Sequence, residues 1–210
     1  MSSEKENKET ESKKETKEVK PEKGRKTTKE IPLTLKLALS VVFVAIGVVS
    51  SVVLTIPVPP IKAAPLQHTI NIIQAIMLGP MWTVINAFII ALLRNMLGLG
   101  TFFAFPGSVF GGLVVGILYW HVWKNDWVAL TENKGTICIG ATVAYLAVAS
   151  LSGPTKLLGF ISAGPPASQM WGISGGLWVL WMSFGVSCIP GSILGFITVK
   201  ALRRAGLITT

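Results

Sequence analysis

Long apolar runs are the feature of this sequence that most restricts its fold. They cover Leu33–Leu54, Leu66–Leu97, Phe103–Trp123, Gly135–Ser152 and Ile173–Val199, and half of the 210 residues are hydrophobic. A helix of ~20 apolar residues crosses a hydrocarbon core ~30 Å thick. Membrane β-barrels show short alternating segments instead, and the sequence lacks them. The pattern therefore predicts an all-α integral membrane protein that crosses the plasma membrane several times.

The first 31 residues have a different character and form a separate predicted unit. Residues 1–30 contain ten Lys/Arg and eight Glu without a hydrophobic pattern, which predicts a disordered, charged cytoplasmic tail. The near balance of charge does not predict nucleic-acid binding, although weak attraction to anionic lipid stays open. The apolar run that follows is longer than the ~7–15 residues of a signal-peptide core. We therefore predict a retained first helix and a membrane domain over residues 32–210.

The second apolar run is too long for one crossing, and Gly79-Pro80 interrupts it. A glycine that ends a helix followed by a proline that begins the next predicts either a kink or a sharp reversal. A reversal gives six membrane helices with both termini in the cytoplasm, the second helix being short, about 67–78. Most basic residues outside the tail then lie inside, as the positive-inside rule requires: Lys36, Lys124, Lys134, Lys200, Arg203 and Arg204. Lys62, Arg94 and Lys156 would lie outside.

Polar residues gather at the predicted outer end of this bundle. Polar groups within a membrane are costly and tend to mark a site, so we predict a ligand cavity there. Its polar candidates are Gln67, His68, Asn71, Arg94, Asn95, Thr101 and Ser108, and its aromatic candidates are Phe105, Trp171 and Trp178. Three alternatives stay open: Arg94 could extend to the lipid headgroups, His68 could be purely structural, and the aromatic rings could pack in the core or against lipid.

Acidic residues are nearly absent beyond the tail. Asp126 and Glu132 are the two that remain, and both are predicted in a short cytoplasmic loop. Ion-driven carriers commonly use membrane carboxylates, and the sequence also lacks a Gly-x4-Gly-Lys-Ser/Thr phosphate loop. No metal-ligand spacing or nucleophile-base set is present, and Cys138 and Cys188 are expected to pack as small residues. The sequence thus predicts a small-molecule binder without cofactor, metal, catalysis or energy source of its own.

Three motifs resemble a known family. They are the QH-x2-N opening at 67–71, LLRN-x-LG-x-GT at 92–101 and FPGS at 105–108, within a segment, 65–119, that closely resembles the ThiW family; "IPGSILGFITVKALRRAGL" at 189–207 also fits. ThiW proteins are substrate-binding (S) components of energy-coupling factor transporters, assigned to the thiazole precursor of thiamine. The resemblance implies six helices, a cavity near the outer face, a transmembrane coupling protein and two cytoplasmic ATPase subunits.

The resemblance also implies a ligand and a docking surface. The ligand would be hydroxyethylthiazole, with its phosphate and related rings left open. Many S components dock through small residues on the first helix, for which Ala38, Ala45, Gly47 and Ser51 are the candidates. A strict Ala-x3-Ala is absent, because Val42 follows Ala38 by four. Two other classes stay open: a ligand-free structural membrane protein and a self-sufficient channel or facilitator.

Overall fold

Six α-helices form the bundle in the computed structural model. The structure describes residues 31–58, 61–150, 156–157, 161–162 and 167–208, and it describes no side chains over 149–174. They are α1 (Leu33–Val53), α2 (Pro65–Leu78), α3 (Pro80–Met96), α4 (Ala104–Ile117), α5 (Ala141–Ser150) and α6 (Ala167–Arg204). π-Helical stretches extend α4 through Leu118–Val122 and precede α5 at Lys134–Gly140, and a 3₁₀ helix, Asp126–Thr131, lies between them. The predicted tail, residues 1–30, lies outside the described residues.

Two short antiparallel hairpins complete the described part of the chain. In the first, β1 (Ile56–Val58) pairs with β2 (Ile61–Ala63), and in the second, β3 (Lys156–Leu157) pairs with β4 (Ile161–Ser162). The first hairpin connects α1 to α2, so the proline-rich loop of the sequence is an ordered strand pair on either side of residues 59–60. It places Ile61 in the hydrophobic core.

The reversal at Gly79-Pro80 creates the short second helix. Gly79 has φ +97°, a conformation that glycine adopts readily, and Pro80 is the first residue of α3. The Asn86 amide donates to Gln74 Oε1 at 3.0 Å, and Arg94 bonds to Gln67, so α2 and α3 run antiparallel. With 14 residues, α2 is about 21 Å long. The expected reversal and the short second helix are therefore both present.

Helices that follow one another in the chain run in opposite directions, so every second helix runs the same way. Ser40 and Gly47 of α1 contact Asn86 and Ile90 of α3 in the same order, so these two helices are parallel. Ala64 and Thr69 contact Ser187 and Gly191 in turn, so α2 and α6 are parallel. α4 runs antiparallel to α3, because Phe105 meets Phe88 while Gly116 meets Pro80. Leu33 and Arg204 consequently lie at the same end, and the first hairpin lies at the other.

Three helical segments among the described residues are long and apolar enough to cross a membrane: Leu33–Val53, Ala104–Val122 and Gly175–Arg204. Pro80–Met96 is a shorter apolar helix. Exposed apolar side chains such as Val41, Val49 and Met182 cover the outside of the bundle, as expected for a lipid-facing surface. The end that carries Arg203 and Arg204, here called the basic end, also exposes Trp120, Trp123 and Trp127.

The predicted docking residues of α1 do not share one face. Ala38 and Ala45 are exposed, whereas Gly47 and Ser51 are buried. A Cβ added at Gly47 would come within 2.6 Å of Ile90 Cδ1, and the Ser51 hydroxyl donates to the Gly47 carbonyl at 2.8 Å. Gly47 therefore packs α1 on α3 within the chain, and the burial of Gly47 and Ser51 leaves Ala38 and Ala45 as the exposed residues of the predicted set.

Candidate functional site

A cleft opens at the end of the bundle that carries the first hairpin. It is narrow, with a cavity volume of about 30 Å³, and is lined by residues from the hairpin, α2, α3, α4 and α6. Its polar lining consists of Lys62, Gln67, His68, Arg94, Thr101, Ser108 and Ser187. Phe103 and Phe184 supply aromatic rings. Binding sites for small molecules typically combine apolar walls with a few placed polar groups, and this cleft has both.

Arg94 is the dominant charge in the cleft. It lies in the last turn of α3, is 2% exposed, and uses Nη1 to donate to Gln67 Oε1. Its Nε and Nη2 atoms are buried without a hydrogen-bond partner. Among the described lining residues none is acidic, so the guanidinium also lacks a counter-ion in the cleft. A buried cation with two unpaired donor nitrogens is costly, and acceptors on a bound molecule would reduce that cost.

Gln67 and Ser108 hold the guanidinium in place. Gln67 Nε2 donates to Ser108 Oγ at 2.6 Å while its Oε1 accepts from Arg94, so the amide cannot turn without losing one bond. Beneath them, Asn71 Nδ2 donates to the Ser108 carbonyl at 3.3 Å and its Oδ1 accepts from Gln74. This polar chain joins α2, α3 and α4 below the cleft floor and fixes the geometry of the site.

His68 forms the opposite wall and connects the cleft to Glu132. Its Nδ1 lies 2.6 Å from Glu132 Oε1, and its Nε2 lies 3.1 Å from Ser187 Oγ. Glu132 is 0% exposed and also contacts Thr136 and Ser192. The expectation that both acids lie in a cytoplasmic loop is therefore wrong for Glu132. The 3₁₀ segment carries it back into the bundle, while Asp126 stays at the basic end, 2.7 Å from Arg203.

The rim of the cleft is bridged by one exposed contact. Lys62 Nζ, on the first hairpin, donates to the carbonyl of Gly98 at 2.6 Å. Gly98 has φ +70° and belongs to the turn between α3 and α4. Asn95 supports the same turn from inside, because its Nδ2 donates to the Thr101 carbonyl at 3.2 Å. The hairpin is thus tied across the mouth to the turn that positions Thr101.

Comparison with known proteins identifies the family. A model of ThiW, described as thiamine-precursor transporter protein, matches residues 37–158, more than half of the chain. The chain belongs to the ThiW family. No curated protein and no solved structure shows a significant match. The match includes α2, α3 and α4 with the three motifs, whereas the C-terminal segment 189–207 lies beyond it. This ThiW chain is therefore a membrane protein of a transporter family.

The structure brings five of the ten predicted binding residues of the ThiW chain to the cleft: Gln67, His68, Arg94, Thr101 and Ser108. The burial of Arg94 does not fit an arginine that extends to the headgroups. Asn71 and Asn95 are buried beside the cleft without lining it, and they bond to its walls. Their contribution is to the shape of the site.

Two of the predicted aromatic residues, Phe105 and Trp178, do not line the cleft. Phe105 packs on Phe88 and Phe102, with ring centroids 5.3 and 6.3 Å apart, and does not line the cleft. Trp178 is 64% exposed and meets Trp181 edge to face on the outside of α6. The side chain of Trp171 lies outside the described residues.

Four lining residues were not in the predicted binding set: Lys62, Phe103, Phe184 and Ser187. Lys62 was visible as the one charge in the proline-rich loop, and Phe103 as a neighbour of the predicted Phe105. Ser187 lies in an apolar helix with no local signal, and only the packing of α6 on α2 places it at the cleft.

Proposed function

We propose that this ThiW chain is the substrate-binding subunit, or S component, of an energy-coupling factor transporter that imports the thiamine precursor hydroxyethylthiazole. The observation that carries the proposal is the Arg94 guanidinium, buried at the cleft with two donor nitrogens, Nε and Nη2, that have no partner. Family membership supports a thiamine precursor as cargo. The hydroxyl oxygen and the ring nitrogen of hydroxyethylthiazole are hydrogen-bond acceptors that Arg94 could satisfy.

The lining of the cleft offers contacts for each part of this ligand, and the cleft would have to widen from its volume of about 30 Å³ to admit it. Phe103 and Phe184 provide faces for a flat heterocycle. Gln67, Thr101 and Ser108 provide further polar contacts beside Arg94. The predicted ligand set is therefore revised to these lining residues with His68 and Ser187, and Phe105 and Trp178 are left out of it.

We further propose that the chain passes six times through the plasma membrane, with the short α2 spanning part of its thickness, both termini in the cytoplasm and the cleft open to the outside. The alternating helix directions support an even number of crossings. The basic end carries Lys124, Lys200, Arg203 and Arg204, which favours its cytoplasmic location under the positive-inside rule. The tryptophans at that end are typical of an interface belt. Cysteine accessibility labelling at residues 62 and 204 in intact cells tests this orientation.

Transport requires partners in this proposal. The sequence contains no phosphate-binding loop of its own, so a transmembrane coupling protein and two cytoplasmic ATPase subunits would supply the energy. Ala38 and Ala45, exposed on α1, are proposed as part of the docking face. Small residues permit close approach of helices in a membrane.

Thermal unfolding of the purified full chain with hydroxyethylthiazole tests the proposal. A ligand at 100 times its Kd stabilises the folded state by about 2.7 kcal/mol, so the melting temperature should rise. Absence of a rise at saturating ligand would refute the assignment. The phosphate ester, tested in parallel, distinguishes the neutral from the charged precursor. Uptake into liposomes by the chain alone would instead favour a self-sufficient facilitator, whereas dependence on added ATPase partners supports an S component.

A further inference from the structure

We propose that Glu132 is a positioning residue for ligand recognition. Acting through His68, it fixes Ser187 as a hydrogen-bond acceptor, so that the cleft selects a ligand hydroxyl that donates to Ser187. The choice of ligand group rests on the proposed function, whereas the hydrogen-bond assignment depends only on the geometry of the chain.

The first step is the protonation of the His68 ring. Glu132 Oε1 lies 2.6 Å from His68 Nδ1 and 2.7 Å from Thr136 Oγ1, and Oε2 lies 3.1 Å from Ser192 Oγ. Three potential donors converge on the carboxylate, which is the environment of an ionised group. An ionised carboxylate only accepts hydrogen bonds. Nδ1 of His68 therefore carries a hydrogen, and we infer a neutral ring, in which Nε2 is the acceptor.

The second step is the hydrogen of Ser187. A hydroxyl has one hydrogen and two lone pairs. The Ser187 hydrogen donates to His68 Nε2 at 3.1 Å, and one lone pair accepts the backbone N–H of Ala64 at 3.0 Å. The second lone pair is left for the cleft, which Ser187 lines. Both nitrogens of His68 are used within the chain, so His68 shapes recognition without offering a hydrogen to the ligand.

The third step concerns the set of hydrogen-bond donors and acceptors that the cleft presents to a ligand. Arg94 presents two unpaired donors, and Ser187 presents an acceptor. A hydroxyl can meet both demands, because it donates once and accepts twice. An ether, a halogen or a fully ionised phosphate only accepts, so it would leave Ser187 unpaired. An alcohol is thus the group that this site distinguishes best.

A spectroscopic experiment tests the hydrogen-bond assignment without any ligand. The sequence contains two histidines, His68 and His121, and His121 is exposed. A His121→Gln chain with ¹⁵N- and ¹³C-labelled histidine therefore reports on His68 alone in lipid bilayers. Solid-state NMR should show a protonated Nδ1 and an unprotonated Nε2. A proton on Nε2, whether alone or together with one on Nδ1, would overturn the proposal.

A binding experiment tests the consequence for selectivity. Affinities are measured for hydroxyethylthiazole and for its fluoroethyl analogue, in which fluorine replaces the hydroxyl and cannot donate. The wild-type chain should prefer the alcohol at least about tenfold. In Glu132→Gln the amide can donate to Nδ1, which moves the ring hydrogen to Nε2 and frees the Ser187 hydrogen. The preference should then fall to about twofold or less.

Asp126→Asn is the matched control, because it removes the other acid beyond the tail and leaves the cleft unchanged. It should keep the wild-type preference. An unchanged preference in a folded Glu132→Gln chain overturns the proposal. If Glu132→Gln does not fold, the wild-type NMR spectrum decides. If hydroxyethylthiazole does not bind the wild type, the proposed function fails while the NMR result still decides the assignment.

Discussion

Replacing Arg94 with methionine should abolish ligand binding while changing the stability of the empty protein little. The substitution removes one hydrogen bond to a charged group, worth about 1.5–3 kcal/mol, and leaves Gln67 Oε1 unpaired at about 1–3 kcal/mol. It also removes two unpaired donor nitrogens, at about 1–3 kcal/mol each, together with a buried charge. The destabilising loss of the Gln67 contact and the stabilising removal of unpaired donors nearly cancel, so the free energy of unfolding should change by less than about 2 kcal/mol.

Binding should respond in a very different way. If each of the two free donor nitrogens forms one hydrogen bond to the ligand, their loss costs about 3–6 kcal/mol, or roughly 10²–10⁴-fold in Kd. For a chain of this size, the about 2.7 kcal/mol of stabilisation at 100 times the wild-type Kd corresponds to a shift of about 5–11 °C. In Arg94→Met this shift should vanish at the same ligand concentration.

Thermal unfolding of both proteins in detergent, with and without hydroxyethylthiazole, measures the two effects together. Arg204→Met is the control, because Arg204 is exposed at the basic end, and it should keep the full ligand shift. A structural arginine in a satisfied buried pair would cost about 3–5 kcal/mol when removed. A loss of that size in Arg94→Met, with the ligand shift retained, would refute the binding role.

Three further substitutions test other parts of the structure. Glu132→Ala removes the carboxylate that His68, Thr136 and Ser192 contact, and it should lower the free energy of unfolding by about 3–5 kcal/mol. Thermal unfolding measures this loss, and an unchanged melting temperature would contradict the buried network. Gly116→Ala places a Cβ 2.7 Å from Pro80 Cα and should lower the free energy of unfolding by about 1–3 kcal/mol. Gly185→Ala is the control, because its Cβ would meet neighbours at 3.7 Å or more and should cost less. Equal losses of stability in the two variants would contradict the packing of α4 on α3. Lys62→Ala breaks the exposed contact to Gly98, so it should change the free energy of unfolding by less than about 1 kcal/mol. It should also speed ligand release. An unchanged dissociation rate would show that the rim contact does not retain the ligand.

Local signals accounted for much of the backbone. The reversal at Gly79-Pro80 was predictable because a glycine that can adopt positive φ and a proline at the start of a helix act within a few residues. The polar lining was partly predictable for the same kind of reason, since Arg94 and Gln67 are conspicuous in apolar runs. Their burial and contact agree with the cost of leaving polar groups in a membrane unpaired.

Long-range packing explains what the sequence could not predict. Glu132 follows a polar stretch and resembles a loop residue, but the 3₁₀ segment Asp126–Thr131 carries it back to His68, 64 positions away. Trp178 belongs to a helix that is apolar nearly all round, so no periodic pattern fixed which of its faces turns inward. Phe103 and Phe105 are two residues apart at a helix start, where small differences in helix phase decide which ring faces the cleft.

The segment from Asp126 to Glu132 is held at both of its ends. Asp126 pairs with Arg203 near the end of the last helix, and Glu132 pairs with His68 on the second. Six peptide bonds thus form a tether between the basic end and the wall of the cleft. Because Glu132 has its own contacts to His68, Thr136 and Ser192, its position in the cleft wall should survive the loss of the Asp126–Arg203 pair.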